Sequence, residues 1–160
     1  MKNILAIALC FIAITSTVAA DEIDKRRVLS ITEAQRNHVL TEMRAFLAGT
    51  QGILDALLRE DMAAVARHAR PLGMGMAHKG EDHLKSVLTK EFMHLGMSVH
   101  KDFDQIAADA ESLKDPKHTL RQLSESMKKC VACHADYQIR IKERPAKMGD
   151  AQPSGHQHQH

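Results

Sequence analysis

The spacing of apolar residues predicts a chain built almost entirely of α-helices. A capping box of Ser30 and Glu33 predicts that a first helix starts near Ile31. The residues predicted to face inward alternate steps of three and four, which is the period of one helix face. The stripe comprises Arg36, Leu40, Met43, Leu47, Thr50, Leu54 and Leu57. We therefore expect these residues to face the core.

Three further helices are predicted. Asp61 is placed to cap a second helix that runs to Ala69, where the proline and glycines of residues 71–75 interrupt it. Residues 79–88 are predicted to be a connection. A third helix begins near Lys90. Its apolar face comprises Phe92, Leu95, Val99, Phe103, Ile106, Ala110 and Leu113.

The fourth helix is predicted to open at Asp115-Pro116, with Asp as the cap and Pro at the first helical position, and to end at Arg144-Pro145. Its inward face comprises Leu120, Leu123, Met127, Cys130, His134, Tyr137 and Ile141. Four helices joined by short links predict an all-α fold, an antiparallel four-helix bundle.

The first twenty residues are typical of a signal peptide. The basic start at Lys2 precedes an apolar run from Ile4 to Ile14, and small residues lead up to Ala20. The run is too short to span a bilayer. We therefore expect residues 1–20 to be removed and a periplasmic protein without a stable membrane span to remain. Residues 21–142 would form the bundle domain, and 143–160 a disordered polar tail.

The composition argues against a nucleic-acid-binding protein. A chain of 160 residues with a formal net charge of +2 and 3% aromatic residues lacks both the charge and the stacking rings of a nucleic-acid binder. No acid, base or nucleophile is grouped around a recognisable substrate site, so we do not expect an enzyme.

One motif carries specific chemistry. Cys130, Cys133 and His134 form C-x-x-C-H, the attachment signature of a single covalent haem c. In this composition the motif is expected roughly 0.004 times by chance. Both thiols add to vinyl groups of the porphyrin, and the adjacent imidazole becomes an axial iron ligand. A redox-active dithiol, a structural zinc site and a plain disulfide are the alternatives.

The motif falls on the inward face of the fourth helix, so the haem is expected in the bundle core near the C-terminal end of that helix. In an antiparallel bundle, the part of the first helix opposite His134 lies about 12 Å from the helix start. Leu40 and Met43 both lie near that level, and the spacing leaves the choice open.

The sequence resembles the class II cytochromes c, cytochrome c prime and its low-spin relatives. The shared features are C-x-x-C-H near the C-terminus, Tyr137 three residues after the histidine, and Gln35-Arg36-x-x-x-Leu40 on the first helix. The resemblance implies a four-helix bundle, Arg36 beside a haem propionate, and a homodimer through the first two helices. Gln138 departs from the family pattern, which has a basic residue there.

Two haem functions follow. If Met43 reaches the iron, His/Met ligation suits electron transfer with redox partner proteins. If Leu40 faces the iron instead, the resemblance implies a five-coordinate centre that binds nitric oxide or carbon monoxide. A separate hypothesis is copper binding by a segment rich in histidine and methionine. Its residues are Met74, Met76, His78, His83, Met93, His94, Met97 and His100.

Overall fold

The computed structural model describes residues 24–142, with the side chains of 80–82 excepted. The predicted signal peptide and the predicted tail lie outside these residues. The described chain is mostly helical, as predicted, with one short pair of parallel strands that the sequence analysis did not predict. The elements are β1 (Arg27–Ile31), α1 (Glu33–Leu58), α2 (Met62–Ala69), a 3-10 turn (Arg70–Leu72), α3 (Met74–Leu84), α4 (Lys90–Ser112), α5 (Pro116–Asp136) and β2 (Tyr137–Ile141).

Helix α1 starts two residues later than predicted. The capping box is formed by Thr32, whose hydroxyl accepts from the Gln35 amide at 3.3 Å while the Gln35 side chain accepts from the Thr32 amide at 2.9 Å. Ser30, the predicted cap, belongs to β1 instead. Because Ser30 is part of β1, the capping box consists of Thr32 and Gln35 and not of Ser30 and Glu33.

The region after α2 contains more helix than predicted. Asp61 caps α2, as predicted, by accepting a hydrogen bond from the Ala64 amide at 2.8 Å. The predicted connection over residues 79–88 is wrong in its first half, because α3 runs to Leu84. The Asp104 carboxylate of α4 accepts from the Met74 amide at 2.9 Å and so satisfies the first turn of α3.

The later helices begin where predicted. Lys90 opens α4 after the N-cap Thr89, and Asp115 caps α5. However, α5 ends at Asp136 rather than at Arg144-Pro145, because residues 137–141 leave the helix to pair with β1.

The two strands join the beginning and the end of the described chain. They run parallel, with Arg27 opposite Tyr137 and Ile31 opposite Ile141. Leu29 and Ile31 are buried, whereas the alternate residues of β1 are exposed. This strand pair therefore links the segment before α1 to the segment directly after α5.

Two clusters of buried side chains form the core. The larger cluster draws residues from α1, α2, α4 and α5, with Ile53, Phe103, Ile106 and Leu123 among them. The smaller cluster lies at the strand pair and contains Leu29, Ile31, Val39, Leu84, Leu88 and Tyr137. None of the helices within residues 24–142 has both the length and the apolar character needed to cross a membrane.

The predicted inward face of α1 is wrong, because none of its seven residues is fully buried, and that of α5 is only partly correct. On α1 the buried residues are Val39, Gly52, Ile53 and Ala56, whereas Met43, Leu47 and Leu54 of the predicted stripe are exposed. On α5 Leu123 is buried, as predicted, but Leu120, Met127, Cys130 and His134 are exposed, so the motif does not face the protein core. Ile141 is exposed as well and belongs to β2. Each helix thus has a second apolar face that the protein core does not cover.

Candidate functional site

The C-x-x-C-H motif lies in the last two turns of α5. Cys130 and His134 are exposed and Cys133 is half-buried. Both thiols are free, so the plain disulfide considered above is not formed. Among residues 24–142, with 80–82 left aside, no three histidine, cysteine or carboxylate side chains are arranged to hold a metal ion.

The surroundings of the thiols do not activate them. Partial desolvation of the two sulfur atoms raises the pKa of both cysteines above the ordinary value of 9.0. The Cys130 thiol donates to the Ser126 carbonyl at 3.6 Å, and the nearby Asp102 carboxylate further disfavours a thiolate there. A redox-active C-x-x-C pair requires a lowered thiol pKa, typically at a helix N-terminus. This motif lies at a helix C-terminus, which argues against a thioredoxin-like role.

Tyr137 is a buried, tightly packed residue directly after the motif helix. It is 7% exposed and packs in the smaller cluster, against which Cys133 also packs. The Phe92 ring meets the Tyr137 ring edge-on at 5.1 Å, and the Arg27 guanidinium lies 4.2 Å from the ring centre. The sequence analysis placed Tyr137 in the fourth helix, but the residue opens β2.

An open apolar groove runs along α5 next to α1. Its volume is about 490 Å³, and it is open to solvent along its length. The lining residues are Leu54 of α1 and Leu120, Leu123, Ser124, Met127, Lys128 and Val131 of α5. The groove thus lies between the two apolar faces that the core leaves uncovered.

The motif adjoins this groove. Because an α-helix makes one turn in 3.6 residues, Met127, Val131 and His134 share one face of α5. Met127 and Val131 line the groove, and His134 lies one turn beyond them on that face. Cys130, Cys133 and His134 do not themselves line the groove; Val131, the second residue of the motif, is the point at which motif and groove meet.

The predicted residues of α1 lie at the same end of the molecule. Val39 and Cys133 belong to one packed cluster, so the α1 turn around Val39 lies close to the motif. Arg36 and Leu40 are half-buried and Met43 is 37% exposed. Their spacing of four and three residues places all three on a single face of α1.

Sequence reasoning missed Arg26. Its guanidinium donates to the backbone carbonyl of His134 at 3.2 Å and to that of Tyr137 at 3.4 Å. No local pattern indicates this contact, because 108 residues separate Arg26 from His134.

Three residues of the segment rich in histidine and methionine have packing contacts. His100 is buried, its Nδ1 lies 2.7 Å from the Leu72 carbonyl oxygen, and its ring packs on Phe46. Met76 packs against the larger cluster and Met93 against the smaller one. These contacts indicate packing roles for these three residues, and copper binding by the segment stays a prediction.

No protein-family model, curated protein or solved structure matches the sequence.

Proposed function

We propose that this protein is a periplasmic c-type cytochrome, similar to the class II cytochromes c, that carries one haem c on Cys130 and Cys133. His134 is the proposed axial iron ligand, and electron transfer is the proposed role. The observation that supports this proposal most is the position of the motif, whose second residue, Val131, lines an open apolar groove.

The described residues fit such a group. Exposed apolar surface is unfavourable in water, and a contiguous patch commonly marks a ligand or partner site. Val131 is 69% exposed, and Leu47, Leu54 and Met127 are exposed as well. A flat, largely apolar ligand held at Cys130 and Cys133 would cover side chains that the protein core leaves in water.

Each motif residue has a distinct proposed task. Cys130 and Cys133 would fasten the porphyrin through thioether bonds, and His134 would ligate the iron. Arg36, on the opposing face of α1, would interact with a propionate. The bound haem would supply a one-electron redox centre, whose potential depends on its axial ligands and on solvent exposure.

The strand pair supports an antiparallel arrangement of α1 and α5 within a four-helix bundle. β1 leads into α1 and β2 follows α5, and the two strands are paired along their length. The start of α1 and the end of α5 are therefore held at one end. This arrangement would bring the α1 turn that contains Leu40 and Met43 opposite His134.

The residue opposite His134 decides between two haem functions. Met43 is exposed on the relevant face of α1 and offers a thioether, which favours His/Met ligation and electron transfer. Leu40 directly follows Val39, which packs in the same cluster as Cys133, and this position favours the five-coordinate, gas-binding alternative.

Absorption spectroscopy of the purified protein tests the proposal. We expect covalent haem in the wild type and none in the Cys130→Ala/Cys133→Ala variant. A low-spin spectrum with a methionine-to-iron charge-transfer band that Met43→Ala abolishes would support electron transfer. A high-spin spectrum that shifts on addition of carbon monoxide, unchanged in Met43→Ala, would support gas binding. A wild-type protein without haem would contradict both.

A further inference from the structure

The end of α5 is tied to the segment that precedes β1. Arg26 lies just before β1, and its guanidinium bonds the carbonyls of His134 and Tyr137 at 3.2 and 3.4 Å. His134 is among the last four residues of α5, whose carbonyls have no partner within the helix. Arg26 therefore satisfies the backbone of the very residue that carries the proposed axial imidazole.

Two further residues hold Arg26 in place. The Asp24 carboxylate accepts from Arg26 Nε at 2.9 Å and from Nη2 at 2.6 Å, and it also accepts from the Arg26 amide. The Gln138 side chain donates to the Arg26 carbonyl at 3.0 Å. The guanidinium is thus fixed on one side by Asp24, which leaves Nη1 directed at the helix end.

The charge and shape of arginine suit this position. The C-terminus of a helix carries partial negative charge, so a cation there is favourable. A guanidinium presents several donors in a rigid plane and can bond two carbonyls at once, whereas a lysine ammonium is a flexible point charge. The contact therefore constrains both the position and the orientation of the last turn.

We propose that Arg26 is a positioning residue that sets the orientation of the His134 imidazole toward the haem iron. This inference rests on the proposed haem function. It assigns to the N-terminal segment, which carries no haem-binding motif, a direct influence on the axial ligand.

The test compares haem-loaded variants of the full chain. Arg26→Gln removes the cation, Arg26→Lys keeps it, and Asp24→Asn loosens the guanidinium without removing it. Arg59→Gln is the matched control, because Arg59 pairs with Asp55 at 2.6 Å on the surface at the end of α1. The readout is the set of g values of the ferric protein in electron paramagnetic resonance. Far-UV circular dichroism verifies the fold.

We expect Arg26→Gln to shift the g values, Asp24→Asn to shift them less in the same direction, and Arg26→Lys to restore them only in part, because lysine keeps the charge but not the rigid pair of donors. Arg59→Gln should match the wild type. If Arg26→Gln contains haem and its spectra equal those of the control, the positioning role is refuted while the haem proposal stands. Absence of haem from the wild type refutes both.

Discussion

Replacing Val131 by alanine should change stability and haem affinity in opposite directions. Val131 lies within α5, is 69% exposed and lines the apolar groove. Alanine has a higher helix propensity than valine, so the haem-free protein should become about 0.5 kcal/mol more stable toward unfolding. The core is not affected, because the side chain does not pack in it.

The loss of affinity follows from the apolar surface that haem would cover. Valine to alanine removes two carbons, each worth about 0.8 kcal/mol when buried. Scaled by the exposed fraction of the side chain, the loss is about 1 kcal/mol, or a roughly fivefold weaker haem affinity.

The assay is a haemin titration in a Cys130→Ala/Cys133→Ala background, where binding is reversible, combined with urea unfolding of the haem-free protein. Val87→Ala is the matched control, because Val87 is 42% exposed in the turn before α4 and does not line the groove. Equal haem affinities for the Val131→Ala and Val87→Ala variants would refute the assignment of haem to this groove.

Three further predictions concern residues around the fold and the site. In Gly73→Ala, the new Cβ would lie 1.7 Å from Asp104 Oδ1 and would displace the carboxylate that caps α3. We expect urea unfolding to show a free energy of unfolding lower by about 1–3 kcal/mol. A decrease below about 0.5 kcal/mol would contradict this. The pKa of Asp109 is lowered, chiefly by a hydrogen bond from Gln105. The ionised Asp109 carboxylate should therefore stabilise the folded protein fully above the ordinary pKa of 3.8, and this contribution should disappear as the pH falls through the lower folded-state pKa. Urea unfolding across this range should show the stability difference between wild type and Asp109→Asn shrinking toward low pH, and a constant difference would count against it. In the haem-free protein, iodoacetamide should modify the exposed Cys130 before the half-buried Cys133, as followed by mass spectrometry. Because the pKa of each thiol is raised, both modification rates should still increase above pH 9.0. Equal rates for the two cysteines would contradict the burial of Cys133.

The features predicted correctly from the sequence are those set by neighbouring residues. Asp61 and Asp115 cap helices through hydrogen bonds to amides two or three positions away, so a short window contains the whole signal. The C-x-x-C-H motif is equally local, and the haem attachment that it indicates stays a prediction.

The features that were missed depend on distant partners. The start of α1 is decided by pairing with β2, which follows more than 100 residues later, and the start of α3 is capped by Asp104, 30 residues away. Arg26 is joined to the site in the same way. The spacing of apolar residues also identifies an apolar helix face without showing whether another element packs on that face. The Met43, Leu47 and Leu54 face of α1 has the period of a core stripe but is exposed.

The central claim is covalent attachment of one haem at Cys130 and Cys133. The most direct measurement is the intact mass of the mature protein, purified under denaturing conditions from a host that has the cytochrome c maturation machinery. We predict the polypeptide mass plus one haem, and the bare polypeptide mass for the Cys130→Ala/Cys133→Ala variant. A wild-type mass equal to that of the bare polypeptide would contradict the account.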